Sequence, residues 1–209
     1  MSRREKIIIG EYYHIFNRGV EKRKIFNNKN DYFRFCNSMI FLNTEKPSKM
    51  SFDKFDDNER PSDNEMLVDI VAYCLNSNHF HCILKEKREN GIATFIKKVC
   101  TSHAMYFNKK YERSGVLFQG RFKSVHIDSN DLLLYLSAYV NCNSQVHKIE
   151  DAEKYPWCSF PEYLGGLGIG CQKSIILDQF KSSIDYKTFC LEKVDGMISR
   201  KDNEKLCFE

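Results

Sequence analysis

Two β-rich runs, LVDIVAYCL (67–75) and HFHCILKE (79–86), are joined only by Asn76-Ser77-Asn78, and that spacing predicts a hairpin. In the second run Phe80, Cys82 and Leu84 alternate with His79, His81 and Ile83. Strand side chains alternate faces, so the apolar set is expected to face the core and both histidines the opposite side. Two neutral imidazoles two positions apart on a strand can chelate one divalent ion. A pair this short also arises by chance on a solvent-facing strand, so its meaning depends on its neighbours.

The surrounding pattern predicts which elements accompany the hairpin. EYYHIFNRG (11–19) reads as a strand ended by Asn17 and Gly19, and a helix is expected from about Asn28, with Tyr32, Phe35, Met39 and Leu42 at helical spacing. Residues 44–66 hold two of the four prolines and little apolar periodicity, so an exposed loop is expected there. Residues 91–110 read as an amphipathic helix and VLFQGRFKSVHI (116–127) as a strand. SNDLLLYLSAYVNCN (129–143) opens with a capping cluster and continues as a helix. This order predicts an α+β fold: a ferredoxin-like split βαβ domain with an antiparallel sheet and helices on one face. The domain is expected over 1–150. Residues 151–209 are expected to form an irregular C-terminal extension, a strap with one or two short helices.

Composition excludes more than it identifies. With 209 residues, 42% hydrophobic and 29% charged, the chain suits a globular domain rather than a fibrous or disordered one. No apolar stretch reaches the roughly 18 residues of a bilayer span, and the start lacks a signal-peptide core, so a cytoplasmic protein with no membrane partner is expected. Nine cysteines without a CxxC pair fit reduced core thiols. The net charge is only +4, yet residues 85–123 carry ten Lys/Arg against three Glu. Basic residues interleaved with aromatics suit single-stranded nucleic acid, and Arg18, Lys109, Lys110, Arg121 and Lys123 are the candidate contacts.

On the helix predicted over 129–143, Tyr135, Tyr139 and Asn143 stand four residues apart along one face. Asn143 could add a carbonyl oxygen to two imidazoles, and Tyr139 would then lie one turn from that ligand. A buried tyrosine with a satisfied hydroxyl is the plain reading of Tyr139 taken alone. His103 and His126 are conceivable general bases, though each reads more simply as a structural residue.

Five segments in order, YYHIFNRGVEKRKIF, AYCLNSNHFHCIL, YFNKKYERSGVLFQGRFKS, YLSAYVNCNSQV and YPWCSFPEYLG, together resemble the HUH single-tyrosine transposases. The REP-associated tyrosine transposases and their insertion-sequence relatives are the nearest in pattern, over about residues 11 to 165. The resemblance implies that His79 and His81 coordinate metal, that Tyr139 rather than Tyr135 is the nucleophile, and that Asn143 is the third ligand. Ser77 and Ser144 stand where the family usually has proline. It further implies a Mg²⁺- or Mn²⁺-dependent DNA strand transferase without a nucleotide cofactor, cutting single-stranded DNA beside a hairpin through a 5′-phosphotyrosine, often as a homodimer. The alternatives are a domesticated hairpin-binding protein and a non-catalytic single-stranded nucleic-acid-binding module of the RNA-recognition type.

Overall fold

The computed structural model describes residues 6–46 and 60–204. Of the expected 44–66 loop, residues 47–59 lie outside these; Asp63–Glu65 form a 3-10 turn. The chain runs β1 (Tyr12–Arg18), α1 (Lys29–Phe41), β2 (Val68–Asn76), β3 (His79–Glu86), α2 (Gly91–Lys110), β4 (Lys123–Ile127) and α3 (Asn130–Asn141). After these come α4 (Asn143–Val146), α5 (Phe160–Tyr163), α6 (Ser174–Leu177) and α7 (Ser183–Glu204).

The helices begin where local chemistry satisfies their first N–H groups. Asn28 accepts from the Asn30 and Asp31 amides, while Asp31 Oδ2 accepts from the Asn28 amide at 3.2 Å, a reciprocal cap. The α2 start is capped from a distance: Glu86, at the end of β3, accepts from Gly91 N at 3.0 Å and Ile92 N at 2.6 Å. A β-carbon at Gly91 would lie 2.3 Å from the Leu67 carbonyl oxygen, so only glycine permits this approach of helix to strand. Ser129 caps α3 through Leu132 N.

The four strands are ordered β2-β3-β1-β4 and pair antiparallel throughout. With α1 linking β1 to β2 and α2 linking β3 to β4, this is the expected ferredoxin-like arrangement. The helices, however, cover both faces rather than one. Tyr13, Ile15, Phe80, Cys82 and Leu84 pack under α1 and α2, whereas Ala72, Cys74, Ile83 and Ile127 pack with α3 and α7. The second face was open to this because Ile83 and Ile127 continue its polar positions with apolar side chains.

A bulge in β2 divides that strand between the two layers. Ile70 pairs with Leu84 and Ala72 with Ile83, leaving Val71 as the extra residue. Before it, Val68 and Ile70 join the α1/α2 core; after it, Tyr73 and Leu75 do so, and Cys74 falls on the α3 side. Strand β4 is shorter than the expected 116–127, because the chain turns at Gly120 (φ +63) and before Lys123 meets the end of β1 only locally, through the Gly19–Phe118 bridge, the Gln119 N to Arg18 O bond and side-chain bonds from Asn17 and Arg18.

Residues beyond 150 are more regular than expected. They include the 22-residue α7, whose Tyr186, Cys190, Val194 and Met197 enter the same core as α3. The preceding strap covers the free edge of β2: Leu75 N donates to Trp157 O, Ser159 N to Tyr73 O and Gln172 N to Ile70 O. The Tyr155 and Tyr163 hydroxyls add bonds to Leu75 O and Val71 O. Among the described residues no helix is long and apolar enough to cross a membrane.

Asp31 ties α1 to the far end of α2. It is fully buried and accepts from Lys110 Nζ at 2.6 Å, Tyr111 Oη at 2.7 Å and Tyr106 Oη at 3.1 Å, besides the Asn27 amide at 2.7 Å. Burial pushes its carboxyl up, but the Lys110 ammonium, the Asn27 amide, the Tyr111 hydroxyl and the Asn28 amide outweigh this and hold it below the ordinary 3.8. A depressed folded pKa gives stability that is complete above the unfolded value and lost as pH falls through the folded one. Asp31→Ala should therefore cost roughly 2–4 kcal/mol in urea unfolding at neutral pH. The gap between wild type and variant should narrow as the titration is carried below 3.8.

Candidate active site

Sheet register assembles the site. On the face under α3, one cross-strand row runs Asn76, His79, Arg18 and the next runs Cys74, His81, Phe16, Lys123. Adjacent rows are one two-residue step apart, so the expected sharing of a face by His79 and His81 is observed, with rings 5.2 Å apart at 90°. α3 crosses this face and sets Tyr139 edge-on to His81, with centroids 5.5 Å apart at 85°. Tyr139 is also 6.1 Å from His14, again edge-on. No comparable ring contact joins Tyr135 to the histidines among the described residues; its hydroxyl instead accepts from Arg200 at 3.4 Å.

These groups open into a cleft of about 740 Å³ lined by His79, His81, Tyr135, Tyr139 and His147. Among the described residues, every charged one on its wall is basic: Arg18, Lys22, Arg121, Lys123 and Arg200. A concave surface with one sign of charge and no acid concentrates anions, and phosphate is the anion that suits Arg and Lys together. Of the five contacts expected from sequence, Arg18, Arg121 and Lys123 lie here. Lys109 and Lys110 do not; both sit at the end of α2, and Lys110 is bound to Asp31, Tyr106 and Asn28.

The partners of His79 fix its tautomer. Asn78 Oδ1, an acceptor, lies 2.6 Å from its Nδ1, and Asn76 Nδ2, a donor, lies 2.9 Å from its Nε2. The proton is thus on Nδ1 and the lone pair on Nε2. His81 Nδ1 is 2.9 Å from Nε2 of His14, a buried ring whose pKa burial lowers to about 4. Two imidazoles held by their Nδ1 atoms suit a divalent ion bound through Nε2, and at His79 such an ion would take the lone pair that now accepts from the Asn76 amide. Among the described residues, no group of three His, Cys, Asp or Glu is placed to hold a metal.

Asn143, the expected third ligand, does not reach the cleft. α3 ends at Asn141, and Cys142 (φ −99, ψ 14) separates it from α4, so the four-residue face shared with Tyr139 is broken there. Asn143 is fully buried, and its Oδ1 accepts from Asn76 Nδ2 at 2.5 Å. It therefore meets His79 only through Asn76, and its own Nδ2 is buried with no partner. One turn further along, His147 stands on the cleft wall with its ring 4.6 Å from His79.

The two candidate bases take their plain structural roles. His103 is completely buried and bonds the Ile25 carbonyl at 2.7 Å, while His126 meets Glu11 at 3.2 Å on the sheet. Residues that sequence reasoning passed over are His14, Asn76, Lys22, His147 and Arg200. Alternation along β1 already put His14 opposite Ile15; nothing local marked Arg200.

Residues 60–143 match the family model described as IS200-like transposase. No curated protein matches the chain. A solved structure of a REP-associated tyrosine transposase bound to a REP hairpin superposes with a TM-score of 0.58 at 15% identity, covering 81% of this chain and 89% of that one. At that identity the likeness is one of fold.

The position of Asn143 makes a stability measurement informative. Asn143→Ala removes the acceptor of a buried donor and should lower unfolding stability by roughly 1–2 kcal/mol in a denaturant titration. A side chain that merely lined an open cleft would be replaced at almost no cost.

Proposed function

We propose that this chain, whose residues 60–143 match the IS200-like transposase model, is a single-tyrosine transposase that cuts and rejoins single-stranded DNA beside a hairpin, with Tyr139 as nucleophile. The observation that carries this is the placement of Tyr139 edge-on to His81 in a cleft whose charged lining is entirely basic.

Tyr139 Oη attacks the scissile phosphorus, the P–O3′ bond breaks, and the products are a 5′-phosphotyrosine and a free 3′-OH. The reverse attack, by a 3′-OH on the phosphotyrosine, restores a phosphodiester and the phenol, so no ATP is consumed. Arg18, Arg121 and Lys123, with Lys22 and Arg200, hold the strand by its phosphates and orient the scissile one toward Tyr139. His79 and His81 are the residues that would hold a divalent ion, Mg²⁺ or Mn²⁺, with imidazole donors favouring Mn²⁺. Such an ion supplies polarisation of the scissile phosphate and offsets charge developing on its oxygens. Asn143 holds the Asn76 amide, which would remain bonded to the Asn143 oxygen once an ion took its place on His79 Nε2.

The hairpin in the proposal is suggested by the DNA in the superposed transposase complex. One chain brings His79, His81 and Tyr139 to one cleft, which supports chemistry within a protomer. Strand transfer joins two ends, and a chain with one nucleophile supplies two only as a homodimer, which we include in the proposal.

End-labelled single-stranded hairpin oligonucleotides from the flanks of the gene, incubated with Mn²⁺, should give a protease-sensitive covalent adduct. Tyr139→Phe should abolish it and Tyr135→Phe should leave it; an undiminished adduct with Tyr139→Phe would overturn the assignment.

Binding should separate the basic residues in the same way. Arg121→Ala, Lys123→Ala and Arg200→Ala should each weaken single-stranded DNA binding and reduce the slope of log K against log[salt] by about 0.7, whereas Lys109→Ala should leave the slope unchanged.

A further inference from the structure

His14 has no part in the chemistry described above, yet it is the buried partner of a proposed metal ligand. It stands on β1 opposite Ile83, one two-residue step along the strand from the Phe16–His81 pair, so its ring reaches His81 diagonally across the strands. The ring nitrogens are 2.9 Å apart, the centroids 5.1 Å, and the ring planes differ by 14°. The centroids are farther apart than the nitrogens by about two ring radii, which describes a linear hydrogen bond lying in the plane of both rings. Phe16 stacks on both, 5.0 Å from His14 and 5.6 Å from His81, and holds the pair in that plane.

In such a bond one nitrogen donates and the other accepts. If His14 donated, His81 would carry its proton on Nε2, and that nitrogen could not coordinate. If His14 accepts, the His81 proton is held on Nδ1 and the lone pair lies on Nε2. Asn78 Oδ1 holds the proton of His79 on Nδ1 in the same sense.

We propose that His14 is a positioning residue that sets the tautomer and ring plane of His81, accepting its Nδ1–H so that Nε2 is presented for coordination. This rests on His81 being a metal ligand, and it assigns β1 a share in the site that the histidine pair alone does not reveal. A partner that fixes the tautomer of a coordinating histidine is typically worth about 10–100-fold in metal affinity.

The test uses the whole chain with Mn²⁺ alone. His14→Phe, similar in shape but unable to accept, should weaken Mn²⁺ binding in calorimetry by about 10–100-fold. His14→Gln, which keeps an acceptor oxygen, should stay much nearer to wild type. Nitrogen-15 spectra of the metal-free protein should show His81 protonated on Nδ1 in wild type and His14→Gln, and a shift toward the Nε2–H form in His14→Phe. Wild-type affinity in His14→Phe, or an Nε2–H His81 in the wild-type protein, would overturn the proposal. If the wild-type protein binds no Mn²⁺, the metal reading of the site fails instead, and the nitrogen-15 spectra still decide what His14 does.

Discussion

The site depends on the two-residue alternation of one strand. β3 lies between β2 and β1, and its backbone is paired on both sides, so it cannot slip by one residue without exchanging its two faces. Phe80, Cys82 and Leu84 bury against α1 and α2 and hold the register; His79 and His81 follow onto the other face as a consequence. The hydrophobic effect acting on three apolar side chains thereby orients two polar ones.

What alternation cannot do is bring Tyr139 to the histidines, and the second layer supplies this. α3 is held by a polar knot beneath it: Asn141 Oδ1 accepts from Ser159 Oγ, Asn141 Nδ2 donates to Tyr186 Oη at 2.8 Å, and Tyr186 Oη donates to Ser137 Oγ at 3.1 Å. These bonds join α3 to the strap and to α7, all within the interior where an unpaired group is costly. The position of Tyr139 is thus set partly by residues 159 and 186. The C-terminal segment is a wall of the cleft as well as a cover for the sheet edge.

Much of this was legible from the residues. The hairpin, the caps at Asn28 and Ser129, the α2 helix and the sharing of a face by His79 and His81 all follow from short-range patterns, and the structure contains each of them. The misreadings have specific causes. Carrying the helical face from Tyr139 to Asn143 assumed an unbroken helix, and no glycine or proline at Cys142 marks the break. Lys110 looked like a phosphate contact because its charge is visible in the sequence and its buried partner Asp31, 79 residues away, is not. The second helical layer went unread although Tyr186, Cys190, Val194 and Met197 recur at helical spacing, because the many charged residues between them lower the apolar contrast of that stretch.

The extra residue at Val71 has a further consequence. Insertions and deletions are ordinarily absorbed in loops, where chain length can change without moving anything else. Here one residue in mid-strand sets the phase of everything downstream as far as the turn at Ser77 and Asn78. Were the ladder straightened with Val71 kept in it, Val71 would stand opposite Ile83, Cys74 and Asn76 would turn toward α1 and α2, and His79 would lose the amide that holds its Nε2. In this fold the loss of the bulge without the loss of a residue is a change of chemistry at the cleft, although no cleft residue is altered.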